Sequence, residues 1–341
     1  MRTEKTEGAD RLRQLRAVST PTPADVIGLE PEDRALNDPA GPAPILVGVD
    51  GSTRSIDALV FADVLAAALR TRLVIAYVHS LGKLSSVFSE DEHELIVRGI
   101  AESTFDQIRD YLPSVPERRL QLLSDRSPAA GLHALAEQEQ AALMVVGSSH
   151  RSNIGRILAG GTADRLLTGA SVPVAIAPAG YSAARRPLRL VGCGFDGSTE
   201  CHRALAWAAE LARMASARLC ILAVHEHTLP ATLALNGGLA TASLNDILRH
   251  QLKEQLAEAA AALDPSVEAS QTLLDGDARD LLSGASHELD LLVLGSRGYG
   301  PVRAVLLGSV SAALVRSAQS PLVVVPRGFE AQAPASPRQI A

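Results

Sequence analysis

Aromatic side chains are scarce in this chain: phenylalanine, tryptophan and tyrosine together make up 3% of its 341 residues. That scarcity argues against a surface built to stack nucleic-acid bases. Nor is there an excess of positive charge. With 32 Lys and Arg against 38 Asp and Glu, the formal net charge is −6, which speaks against general DNA or RNA binding and against adhesion to a membrane surface. Cysteine is limited to Cys193, Cys201 and Cys220, with no CxxC spacing, so neither a disulfide framework nor a zinc site is predicted. Cys193 and Cys220 sit inside apolar runs and read as small buried hydrophobes. No apolar run is long enough to cross a bilayer, and the start of the chain lacks the apolar stretch of a signal peptide, so a cytoplasmic protein is expected.

What is abundant is aliphatic. Hydrophobic residues make up 47% of the chain, and a core of Ala, Val, Leu and Ile is what α/β folds with parallel sheets use. The length suits two ordinary domains, each able to bury a core.

The two halves repeat one another. Asp50-Gly-Ser-Thr53 recurs as Asp196-Gly-Ser-Thr199, each after an apolar run. His79 and His225 stand at the same distance from these aspartates, and each follows a valine, Val78 or Val224. Gly147 and Pro178 are spaced as Gly295 and Pro326 are. A repeat of this size is a duplicated domain rather than a solenoid unit. In the second half the pattern predicts strands over 189–195, 217–225, 268–274, 290–295 and 321–325. It predicts helices over 200–215, 244–263 and 278–288. Strands alternating with helices imply two tandem doubly wound α/β domains, over 43–179 and 187–328. Residues 1–42 and 329–341 lack a core pattern and read as a disordered arm and a flexible tail, with 180–187 as a short linker.

Ligands of such sheets bind at the carboxyl ends of the strands, where strand order reverses. Asp50 and Asp196 stand there. So does the most telling motif, Gly295-Ser-Arg-Gly298, followed after nine residues by Gly308-Ser309, between a strand pattern and a helix pattern. Glycines let an anion approach the main chain, and a helix opening at Gly308-Ser309 presents free N–H groups and the Ser309 hydroxyl to phosphate. The glycines alone read equally well as turn residues, and Asp196 alone as a helix cap or part of an Asp-Gly turn. The position of the aspartate opposite the glycine loop favours a nucleotide. His79 and His225 lack a surrounding set of ligands or bases and read as structural.

The Asp-Gly-Ser opening, the Val-His strand end, the G-x2-G-x9-G-S loop and the closing Pro-Leu-Val-Val-Val-Pro326 together resemble a tandem member of the universal stress protein family. The resemblance implies a five-stranded parallel sheet in each domain, in the order 3-2-1-4-5, and places the chain in the ATP-binding branch. Carried over, Asp196 and Val224 flank adenosine, while Gly295, Arg297, Gly298, Gly308, Ser309 and Val310 line the phosphates of ATP, with or without magnesium. The first half keeps Asp50, Val78, Gly147 and Gly160, which imply a weaker site. It departs at His150 and Gly161, which replace a glycine and a serine of the motif, and at Arg126, which stands where the second copy has Gly276.

The expected function is that of an ATP-binding stress-response regulator acting through conformation or through a regulatory protein partner not yet identified. The loop lacks the Lys-Ser/Thr ending of a Walker loop, so efficient hydrolysis is not expected. A slow ATPase or autophosphorylating enzyme and a nucleotide-free docking scaffold are the alternatives. The duplicated domains are expected to pack as an intramolecular pseudo-dimer, and the resemblance places their fifth strands, near 173–177 and 321–325, side by side in antiparallel pairing, with further homodimerisation left open.

Overall fold

The computed structural model describes residues 42–80, 90–109, 111, 118–149, 155–226, 238–296 and 308–329. The first half alternates β1 (Ile45–Val49), α1 (Thr53–Leu69), β2 (Leu73–Ser80), α2 (Glu90–Arg109) and β3 (Arg118–Asp125). It continues through α3 (Pro128–Gln138), β4 (Leu143–Gly147), α4 (Gly161–Leu167) and β5 (Val174–Ala177). A short α5 (Tyr181–Ala184) leads to β6 (Leu190–Phe195), α6 (Thr199–Ala215), β7 (Arg218–His225), α7 (Gly238–Ala261) and β8 (Ala269–Asp275). The chain then forms α8 (Ala278–Ala285), β9 (Leu291–Gly295), α9 (Ser309–Ser317) and β10 (Leu322–Val325).

The strands make one sheet in the order β3-β2-β1-β4-β5-β10-β9-β6-β7-β8. Each half thus has the order 3-2-1-4-5 that the resemblance implies, and within each half all pairings are parallel. The halves meet where β5 and β10 pair antiparallel, with Val323 opposite Ala175. These two short strands flank prolines and carry only apolar side chains, all of them buried. Left unpaired they would expose open backbone groups on an apolar edge; pairing with each other covers both.

The central strands are buried on both faces, which is why they read as continuous apolar runs rather than alternating ones: Ile45, Leu46 and Val47 have no exposed surface. The outer strands β3 and β8 are partly exposed and correspondingly polar. On one face a single apolar layer runs through both halves, joining Phe61 of α1 to Trp207 of α6. In the second half the predicted strands fall within a residue or so of the observed ones. The predicted helix over 278–288 ends early: Ser286 Oγ donates to the Ser283 carbonyl at 2.6 Å, and the chain tightens into a 3-10 turn over Ser286–Glu288.

The segment read as a linker is held firmly. Asp57 of α1, almost fully buried, accepts hydrogen bonds from the Gly180 amide (2.8 Å), the Ser182 amide (2.9 Å) and the Ser182 hydroxyl (2.7 Å). Arg185 reaches the fully buried Asp63 at 2.5 Å. The Tyr181 ring packs edge-on against Phe61, with centroids 5.1 Å apart, and its hydroxyl donates to the Arg186 carbonyl. Burial raises the Tyr181 phenol pKa, and the nearby Asp290 charge adds to that. Asp57→Ala strands three donors at once, so a stability loss of about 2 kcal/mol is expected, with a smaller loss for Asp57→Ser, which restores an acceptor; urea unfolding of the two variants checks it.

Candidate functional site

In both copies the Asp-Gly-Ser-Thr tetrad folds into the same turn. The Asp50 carboxylate accepts from the Ser52 amide at 3.0 Å and from its hydroxyl at 2.5 Å; Asp196 and Ser198 repeat both distances. Gly51 and Gly197 sit at φ +77° and +76°, a left-handed conformation that favours glycine. Helix capping falls to the serine and not to the aspartate. Ser52 accepts from the Ser55 amide and Ser198 from the Cys201 amide, each at 3.2 Å. In each copy one carboxylate oxygen closes this turn, at the carboxyl ends of β1 and β6 and facing the ends of β4 and β9.

Two cavities open there, one per copy. The second, of about 510 Å³, brings together Asp196, Val224, Gly295, Gly308, Ser309 and Val310. Arg297 and Gly298, also predicted for this site, lie outside the described residues. The first cavity, of about 260 Å³, is lined by Asp50, Val78, Gly147 and Gly160. His150 lies outside the described residues. Arg126, where the first copy departs from Gly276, is exposed and does not line the cavity.

Gly147 and Gly295 also have a packing role that the sequence reading did not include. Gly308 has φ −60° and ψ 159°, angles open to any residue, and Gly295 does not use left-handed backbone. Gly295 is needed because α6 presses on it: a Cβ there would lie 2.9 Å from the Glu200 carbonyl. Gly147 stands in the same relation to Arg54 of α1, more tightly still. The close approach brings each helix N-terminus to the end of the neighbouring strand and so shapes the cavity.

Several lining residues escaped the sequence reading. Phe195, Leu222, Leu252 and Leu294 give the second cavity apolar walls. Ser311 Oγ donates to the Gly295 carbonyl at 3.0 Å, tying α9 to β9; Ala163 stands at the matching place in the first copy. The charge also differs. Asp196, Glu200 and Glu226 line the second cavity with no Lys or Arg among its described lining residues, whereas the first carries Asp50 and Arg54. Glu200 pairs with Arg327 at 3.6 Å, and Glu226 accepts from the Ala278 amide at 3.1 Å. The duplication itself held the signal: Arg54 and Glu200 follow the identical tetrads at once, and only the place of the helix N-terminus shows that they face the cavities.

Cys201 lines the second cavity, and burial pushes its thiol up to about 11, with the charge of Asp196 acting in the same direction. Cys193 is fully buried and raised still further by burial, while Cys220 is partly exposed. At pH 8 a thiol of pKa 11 is only about 0.1% thiolate, and Cys220 is the most accessible of the three. Alkylation of the folded chain should therefore mark Cys220 well before Cys201, and Cys193 only after unfolding; peptide mass spectrometry reads the order. Among the described residues no three His, Cys, Asp or Glu side chains gather as a metal-holding group, and no helix is long and apolar enough to cross a membrane.

The sequence profile of the universal stress protein family matches residues 43–178 and again 188–326. A universal stress protein of Mycobacterium tuberculosis is 28% identical over 243 residues, covering 69% of this chain and 82% of the relative. A second from the same organism is 33% identical over 151 residues, 39% of this chain and 46% of that one. Among solved structures, a universal stress protein from Archaeoglobus fulgidus aligns over 84% of this chain and 98% of its own, with a TM-score of 0.58 and 21% identity. That likeness is one of fold.

Proposed function

Because the chain belongs to the universal stress protein family, with two of the family's domains in tandem, we propose that its second domain binds ATP. In this reading the bound nucleotide sets the conformation or the partner of a stress-response regulator. The observation that carries the reading is the convergence of Asp196, Val224, Gly308 and Ser309 on one cavity of about 510 Å³ at a strand-order reversal. The residues present fit the ligand. Apolar walls of Phe195, Leu222 and Val224 suit a base, and the Asp196 carboxylate suits ribose hydroxyls. At the far side, α9 opens at Gly308 with no side-chain cap, leaving its first N–H groups and the Ser309 hydroxyl for phosphate oxygens.

The acidic lining from Asp196, Glu200 and Glu226 opposes a bare polyphosphate, so the nucleotide is proposed to enter as its magnesium complex. A bound divalent cation would supply positive charge to the phosphates. The loop's lack of a Walker lysine fits a binding role rather than fast turnover.

The test is to denature the purified chain and count the adenine nucleotide released, then to titrate stripped protein with ATP and magnesium. Close to one equivalent, bound to the parent and lost in Asp196→Ala, is the expected result. A chain that neither releases nor takes up nucleotide would overturn the reading.

A further inference from the structure

A third cavity, of about 320 Å³, lies away from both strand-end cavities, where the segment after β5 meets the second domain. We propose that it is a binding site for a small phosphate ester. Its walls come from three places in the chain. Arg156 belongs to the first domain, Tyr181 and Arg186 to the docked segment, and His287, Leu289 and Ser320 to the second domain. Two arginines and a histidine therefore line one small volume. Arg186 makes no side-chain hydrogen bond or ion pair among the described residues, and its side chain is exposed at the rim.

Ser320 supplies an independent observation. It is 3% exposed, and its Oγ is buried without a hydrogen-bond partner among the described residues. A buried hydroxyl left unmatched carries a desolvation cost; turned into the cavity that Ser320 lines, it would recover that cost with a ligand oxygen. The one carboxylate of the lining, Asp290, is already engaged: its Oδ2 accepts from the Arg189 amide at 2.8 Å and the Leu190 amide at 2.9 Å. Its charge opposes an anion, and Arg186 at the rim offsets it.

The duplication offers an internal comparison. At the matching places in the first copy, Ser320 is replaced by Val172, His287 by Glu139 and Asp290 by Ala142. The polar set is therefore peculiar to the side of the molecule where the connecting segment docks. Guanidinium forks match phosphate and carboxylate alike. A phosphate has enough oxygens to serve two arginines and a hydroxyl together, and the apolar surfaces of Pro178, Leu289 and Pro321 leave room for an organic body.

Backbone-amide NMR of the full chain, titrated separately with phenyl phosphate, inorganic phosphate and benzoate, tests the assignment. Saturable shifts at the Gly180, Ala184 and Gln319 amides are expected, with phenyl phosphate the tightest of the three by about tenfold. Arg186→Glu, an exposed position whose change leaves the core intact, and Ser320→Val, which installs the first copy's residue, should each weaken phenyl phosphate by about tenfold. Absence of shifts at these amides, equal affinity for phenyl phosphate and benzoate, or unchanged affinity in Arg186→Glu would overturn it. The outcome is independent of whether ATP binds the second domain, because different amides report.

Discussion

Gly147→Ala is expected to lower the stability of the first domain by more than about 3 kcal/mol, the upper range for overpacking a rigid site. An added Cβ would overlap the Arg54 carbonyl oxygen, and that oxygen belongs to the first turn of α1. It cannot swing aside as a side-chain tip would. The whole helix must retreat, yet α1 is pinned at its other contacts by Phe61 in the core and by Asp57 on the docked segment. Gly295→Ala should cost less, since the first contact with Glu200 begins at 2.9 Å. Gly161→Ala, with nothing within 4 Å, serves as the near-neutral control. Urea unfolding followed by circular dichroism gives the three values. A loss below about 1 kcal/mol at Gly147 would mean that α1 shifts freely and that the close helix–strand approach is not what requires glycine.

The same pair of glycines shows what sequence can and cannot carry. Their spacing marked the ends of β4 and β9 correctly, because a glycine after an apolar run is legible as a strand end. Their reason was not legible. The main chain that crowds Gly147 comes from Arg54, far away in sequence, and contacts of that kind leave no periodic trace. Strand order and the pairing of β5 with β10 were both accessible through the family resemblance; the two Pro-flanked apolar runs fitted short edge strands that need cover but did not by themselves name the partner. The docked segment was read as linker because Tyr181 to Ala184 is too short to show a helical pattern; its anchors, Asp57 and Asp63, sit on α1, where acids ordinarily face solvent. Asp196 was placed at the cavity from its position, but the division of labour between carboxylate and serine needed coordinates. The charge contrast between Arg54 and Glu200 was present in the sequence and became meaningful only once both were seen to line cavities.

The contrast bears on the most discriminating titration. One tight ATP site per chain is expected, in the second domain, with at most a weaker one in the first. The first cavity, at about 260 Å³, is half the size of the second, and α4 opens with Gly161 where α9 offers the Ser309 hydroxyl. Leaving a desolvated phosphate oxygen unpaired costs roughly 1–3 kcal/mol, so Ser309→Ala should weaken the tight site by about tenfold. The charges act in the opposite direction. Arg54, although paired with Asp57 at 3.6 Å, adds a positive group to the first cavity, whereas Asp196, Glu200 and Glu226 resist a polyphosphate in the second unless a cation accompanies it. Chelating magnesium should therefore weaken the second site far more than the first, and Glu200→Gln should soften that dependence by removing one of the three charges. Calorimetry with and without chelator separates the two effects. Two equal sites that both survive Ser309→Ala would defeat the asymmetry, and a tight site indifferent to chelation would show that side chains of the glycine loop, and not a metal ion, neutralise the phosphates.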